Sequence, residues 1–257
     1  MSQNKSGKSP YRLPVLLILA VLMVLGMLRL GIWQLDRASQ KQQILDQVIE
    51  RSKSQAKDLT SISSTIDESQ QKKLRFQPVT VTGEYLPENT ILIENQVVNK
   101  RVGYQVFTLF SAKASDHLVM VGRGWVPAGA TRTELPLIST PKGEVQLSGR
   151  LNFPPSQPPL WKEGYPVNDG QVWQYLPIGE FASQIEANVM PLVIELAPDQ
   201  AGTEDLAVKW QEVDDKWVAK HKGYAFQWFS MALAFFVACL VLLVRSLRSK
   251  EVSNTKI

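Results

Sequence analysis

The chain carries one cysteine, Cys239, and two histidines, His117 and His221, among 257 residues. A single cysteine excludes an intrachain disulfide, and because Cys239 lies inside an apolar run, no thiolate metal site is expected in the polar middle of the chain. Two histidines exclude a multi-histidine metal centre. No G-x-S-x-G, P-loop or dinucleotide fingerprint is present, and the chain is not expected to be an enzyme. The overall charge of +4 also lacks a folded carrier: Asp36 to Lys220 holds 19 basic and 23 acidic residues, a balance of −4. The basic excess lies in the tails and membrane flanks, so no nucleic-acid partner is expected.

Two long apolar runs stand out against this polar background. Between Gly223 and Val244 there are 22 residues without a formal charge, enough for a helix of about 33 Å at about 1.5 Å per residue, which crosses a hydrocarbon core. The first run begins at Leu13 and continues to Leu35. It is long for a signal-peptide core and is followed by no small-x-small cleavage site, so it predicts an uncleaved anchor. Trp33 and Arg29 suit its far interface. With 44% hydrophobic residues, the chain is too polar for a multi-span transporter.

The sequence therefore divides into a cytoplasmic tail (1–12), a transmembrane helix (13–35), a helical extension and linker (36–73), an extramembrane β-rich domain (74–220), a second transmembrane helix (223–244) and a cytoplasmic tail (245–257). Lys5, Lys8, Arg12, Arg245, Arg248 and Lys250 favour cytoplasmic termini and an external middle. In that middle, β-type runs separated by turn residues appear at Val79–Tyr85, Thr90–Glu94, Gly103–Phe110, Leu118–Val126, Glu144–Leu151, Gln171–Tyr175 and Pro191–Leu196. One helix is expected, over Pro177–Ala187. The fold class is mainly β (α+β), an antiparallel barrel- or sandwich-like domain anchored by two terminal transmembrane helices. The proline-rich stretch Phe153–Pro166 cannot be a central strand and is a candidate partner surface.

Few constellations could carry chemistry. His117 and Met120 have a spacing compatible with copper but lack a third ligand, and a solvated loop histidine is the simpler account. In GRGWVP, Gly122–Pro127, Arg123 either sits in a strand bulge beside a packed Trp125 or meets a carboxylate of a ligand or partner. In GIWQLDR, Gly31–Arg37, Gln34 is costly in lipid and is expected to face the second helix. On that second helix, His221, Tyr224, Ala225 and Trp228 fall at i, i+3, i+4 and i+7, on one face.

Taken in order, GIWQLDR after a first membrane helix, VTVTGEY, GYQVFTLF, LVMVGRGWVP and HKGYAFQWF opening a second helix resemble the surfeit-locus family of cytochrome c oxidase assembly factors. The resemblance covers Gly31 to Val244. It implies a two-span protein of the bacterial inner membrane that holds haem a for insertion into oxidase subunit I, beside the haem a synthesis enzymes and within the lipid membrane. It also implies that His221 contacts the haem iron and that Tyr224 and Trp228 accompany it. A neutral imidazole is a competent axial ligand, Ala225 would leave room for a flat macrocycle, and Lys220, Lys222, Arg29 or Arg37 could meet the propionates. A cofactor-free scaffold that stabilises oxidase subunits during assembly is the alternative.

Overall fold

The computed structural model describes residues 12–113, 117–131, 134–154, 168–210 and 215–254. The tail residues 1–11 and 255–257, the proline-rich residues 155–167, and Ser115 and Asp116 beside His117 lie outside them. The described residues form two compact units, residues 12–46 together with 215–254, and residues 47–210.

Helix α1 spans Arg12–Ser52 and helix α4 spans Asp215–Asn254, 41 and 40 residues respectively. Both outrun the expected membrane segments. Each is long and apolar enough to cross a membrane. Their large apolar side chains stand outward, with Leu16 61% and Phe226 75% exposed. Water would penalise such a surface, whereas a bilayer is the environment in which it is satisfied.

These two helices hold more residues than all the described strands together, so "mainly β" is corrected to a mixed α and β chain. The cause is that helical periodicity continues past the apolar windows into polar sequence at both interfaces. Asp215 in the first turn of α4 suits the positive end of its dipole.

The second unit is built on one mixed sheet. Its strands are β1 (Lys57–Asp58), β2 (Pro78–Val98), β3 (Arg101–Ala112), β4 (Leu118–Pro127), β5 (Val145–Asn152), β6 (Asn168–Asp169), β7 (Val172–Trp173) and β8 (Val189–Leu196). The pairing order is β3-β4-β8-β5-β2-β7-β6. The long β2 serves two partners in turn, β5 along residues 78–83 and β3 from Gly83 onward. Strands β4 and β8 run parallel, as do β2 with β7 and β1 with β2. The expected antiparallel barrel or sandwich is therefore corrected to a curled mixed sheet. Hydrophobic alternation places a strand and its faces but does not encode pairing direction. Only short hairpin links force neighbours antiparallel, and β4 reaches β8 through a long intervening segment.

Both faces of the central strands are buried, which is why they read as near-continuous apolar runs. On β8, Leu192, Ile194 and Leu196 enter one core with Val79, Phe110, Val121 and Leu147, while Val189 and Val193 enter the other with Leu109, Met120 and Trp173. The second core is covered by helix α3 (Ile178–Gln184), through Ile178 and Phe181. The first is closed partly by Leu59 and Ile62. Those two residues lie in the stretch expected to be linker, so the folded unit begins well before residue 74. That stretch also contains helix α2 (Glu68–Leu74), started by a capping box between Asp67 and Gln70.

GRGWVP supplies the bulge. Val106 pairs with Gly124 and Phe107 with Gly122, leaving Arg123 as the extra residue of β4. Gly124 adopts φ +144°, which side-chain-bearing residues rarely do. Trp125 is buried and its indole Nε1 donates to the Gln96 carbonyl at 2.9 Å.

Candidate functional site

The unit formed by α1 and α4 contains the residues singled out for cofactor contact. Along α1 the less exposed positions include Ala20, Val24, Met27, Gly31, Gln34, Ala38, Lys41 and Leu45, in alternating steps of four and three, with Gln42 beside them. Along α4 they include Val218, His221, Ala225, Trp228, Ala232, Phe235 and Cys239, stepping by three and four, with Phe229 beside them. A 3.5-residue repeat on each helix is the signature of a coiled-coil seam. Small residues let the backbones approach: a Cβ added to Gly31 would lie 2.6 Å from Phe229 Cε1.

Two polar side chains meet in this seam. Gln34 Oε1 lies 2.7 Å from His221 Nδ1. An unpartnered amide in lipid is expensive, and here the imidazole satisfies it. Gln34 therefore faces the second helix, as expected from its sequence position.

The expected haem face divides along its edge. Ala225 is 1% exposed and sits within the seam, whereas Tyr224 is 43% exposed. His221 and Trp228 are half-buried between these extremes. Ala225 accordingly packs inside the seam and does not face open space, because the 3.5-residue repeat carries this position inward. The accessible side of His221 is the side that bears Tyr224.

Trp217, four residues before His221, lies on the same side and was missed by sequence reasoning. It falls in the polar stretch ahead of the apolar run, and its i−4 spacing from His221 was the available signal. Lys220 Nζ stands 5.8 Å from the Trp217 ring centroid and 5.9 Å from that of Tyr224. Two aromatic faces thus hold one ammonium beside the imidazole. Arg37 is occupied within α1, its guanidinium 5.9 Å from the Trp33 ring and its Nη1 donating to Gln40 Oε1 at 2.9 Å. Among the basic residues considered for propionates, Lys220 is the one this aromatic pair positions beside His221.

The other candidates lie in the sheet unit. Arg123 is 1% exposed. Its Nε donates to Gly202 O at 2.8 Å, its Nη1 to Thr140 Oγ1 at 2.8 Å and Thr108 Oγ1 at 3.2 Å, and its Nη2 to Ser139 O. Its guanidinium also lies 5.2 Å from the Tyr85 ring centroid. Burial pulls the Arg123 pKa down from its ordinary value, opposed by Tyr85 and Glu204. An arginine committed in this way is a strut between β4 and two loops, which favours the bulge account over a ligand carboxylate. His117 precedes β4 while Met120 is fully buried in the core. Among the described residues, no group of three His, Cys, Asp or Glu side chains could hold a metal ion.

Comparison with known proteins places these features in a wider group. The family model described as the SURF1 family matches residues 21–233, a span that includes Gln34, His221, Tyr224 and Trp228. A SURF1-like protein of Rickettsia bellii is 25% identical over 231 residues, 88% of each chain. A SURF1-like protein of Monosiga brevicollis is 21% identical over 221 residues, 79% of this chain and 78% of that one. Surfeit locus protein 1 of Xenopus tropicalis is 25% identical over 196 residues, 70% of this chain and 61% of that one.

Proposed function

The chain belongs to the SURF1 family, and from that premise we propose that it is a membrane-anchored assembly factor for cytochrome c oxidase that holds haem a for insertion into subunit I. It acts as a carrier rather than a catalyst. The observation that carries this reading is the His221 imidazole, whose Nδ1 is tied to Gln34 at 2.7 Å and whose accessible side is lined by Tyr224, Trp217 and Lys220. That leaves Nε2 as the nitrogen for iron.

Haem a, when bound, would supply an iron able to accept an imidazole nitrogen, a flat apolar macrocycle and two propionates. The residues present fit such a group. His221 offers the nitrogen, Tyr224 and Trp228 with Trp217 offer aromatic surface, and Lys220 offers an ammonium for a carboxylate. Gln34 keeps the ring from rotating. The exposed apolar flanks of α1 and α4 hold this arrangement at the edge of a lipid bilayer, where an apolar cofactor partitions.

In this account the protein spans the bacterial inner membrane twice, with cytoplasmic termini and a periplasmic middle. Basic tails flanking a middle of net acidic charge support that orientation. Its partners are the haem a synthesis enzymes on one side of the transfer and oxidase subunit I on the other.

The test is complementation of a strain lacking this gene. Wild-type protein should restore the ratio of haem a to subunit I in purified oxidase, and His221→Ala should leave that ratio low while accumulating to the same level in membranes. Full restoration by His221→Ala would instead indicate a cofactor-free scaffold.

A further inference from the structure

Gln34 lies on α1 and His221 on α4, 187 residues apart in the chain, yet their side chains meet at 2.7 Å. The atom placed against the imidazole is the amide oxygen, which only accepts hydrogen bonds, so in this contact Nδ1 is the donor. A neutral ring has one N–H, and the lone pair then resides on Nε2. In water the other tautomer, protonated at Nε2, is ordinarily the more populated. Holding the ring in the Nδ1–H form needs an acceptor at Nδ1, and the acceptor in contact with it is Gln34.

The surroundings narrow the role further. On the α1 seam, Gln34 sits between buried Gly31 and buried Ala38, positions where small residues suffice for close packing. A leucine or alanine would pack here without having to find a hydrogen-bond partner. What glutamine adds is an acceptor at a defined point, reached from a helix that Gly31 and Phe229 hold close. Metal-binding histidines typically have their second nitrogen fixed by such an acceptor.

We propose that Gln34 is a positioning residue that holds His221 in the Nδ1–H tautomer, with Nε2 presented as the donor toward the Tyr224 side. The inference deepens the haem-holding reading and rests on it for the identity of the ligand, but the tautomer itself is a property of the protein alone. A merely structural interhelical tie would not change iron-porphyrin affinity when the acceptor is removed at similar volume, whereas a positioning role would.

The experiment uses the full chain in lipid nanodiscs, labelled with 15N-histidine, with the His221 signals assigned by their loss in His221→Ala. Nitrogen shifts and one-bond N–H couplings report the tautomer without any cofactor. The wild type should show Nδ1–H at His221. Gln34→Leu, which removes the acceptor at similar volume, should shift the ring toward the Nε2–H form. Gln34→Glu, which keeps an acceptor oxygen at the same reach, should retain Nδ1–H.

In parallel, each protein is titrated with iron protoporphyrin IX and followed at the Soret band. Gln34→Leu should bind about 10–100-fold more weakly, and Gln34→Glu should stay close to wild type. An Nε2–H wild type, or a Gln34→Leu protein with unchanged tautomer and unchanged affinity, overturns the inference. A tautomer that shifts as expected in a wild type that binds no haem would support the positioning role and defeat the haem reading, so the two failures are distinguishable. Gln34→Glu guards against a folding artefact, since loss of the tautomer in both variants would also count against the proposal.

Discussion

Arg123 Nε donates to the carbonyl oxygen of Gly202 at 2.8 Å, joining the bulge of β4 to a loop 79 residues further along the chain. The same guanidinium reaches Ser139 O and the hydroxyls of Thr140 and Thr108. A lysine at this position keeps the charge but cannot fork to all four acceptors. Arg123→Lys is expected to lower unfolding free energy by about 2–4 kcal/mol, since buried carbonyls lose their donors and the charge loses its partners. Denaturant unfolding of the detergent-solubilised protein, followed by tryptophan fluorescence, measures this. A change within experimental error would mean that the strut is dispensable.

Tyr85 provides a pH prediction for the sheet unit. Its ring packs edge-on against Phe110 with centroids 5.1 Å apart, and its hydroxyl donates to Ala201 O at 2.9 Å. Burial pushes its pKa above the ordinary tyrosine value, with Arg123 opposing and Glu204 reinforcing. The unfolded chain ionises Tyr85 near pH about 10 while the folded protein keeps the proton. The folded state therefore binds more protons there, and stability falls as pH rises above about 10. Tyr85→Phe should flatten that alkaline decline while costing about 1 kcal/mol at neutral pH through the lost hydrogen bond. An equal alkaline slope in both proteins would assign the decline to other groups.

Two glycines of α1 should respond in opposite ways. A methyl at Gly31 collides with the Phe229 ring, whereas a methyl at Gly26 meets nothing within 4 Å. Gly31→Ala is expected to weaken the helix pair by about 1–3 kcal/mol. Gly26→Ala should leave it unchanged or strengthen it by up to about 1 kcal/mol through helix propensity. Thermal unfolding of helical circular dichroism in detergent gives the ranking, and equal effects would argue against close approach at Gly31.

Leu59 tests where the folded unit begins. It is 1% exposed inside the core, so Leu59→Ala should destabilise by about 3 kcal/mol. A true linker residue would shift stability by less than about 0.5 kcal/mol.

These particulars also indicate what the sequence could convey. Short runs rich in Val, Thr, Ile and aromatics, bounded by turn residues, located the strands that became β3, β4, β5 and β8, because that composition holds whatever the pairing. Direction and partner did not follow, since β4 against β8 depends on contacts between segments far apart in the chain. Leu59 and Ile62 were obscured by their Ser/Thr-rich neighbours. In the helix pair, the cost of an amide in lipid correctly turned Gln34 inward. The i+4 and i+7 spacing put Ala225 and Trp228 on one seam with His221, whereas Tyr224 at i+3 stands outside it at 43% exposed, and Trp217 was hidden by its polar surroundings.

The most direct test of haem custody at His221 is an absorption spectrum and pyridine haemochrome of the detergent-purified protein, co-expressed with haem a synthesis enzymes, beside His221→Ala. The account predicts a Soret band and bound haem a in the wild type and their loss in the variant. Equal haem a in both proteins, or none in either above a membrane-protein control, would contradict it.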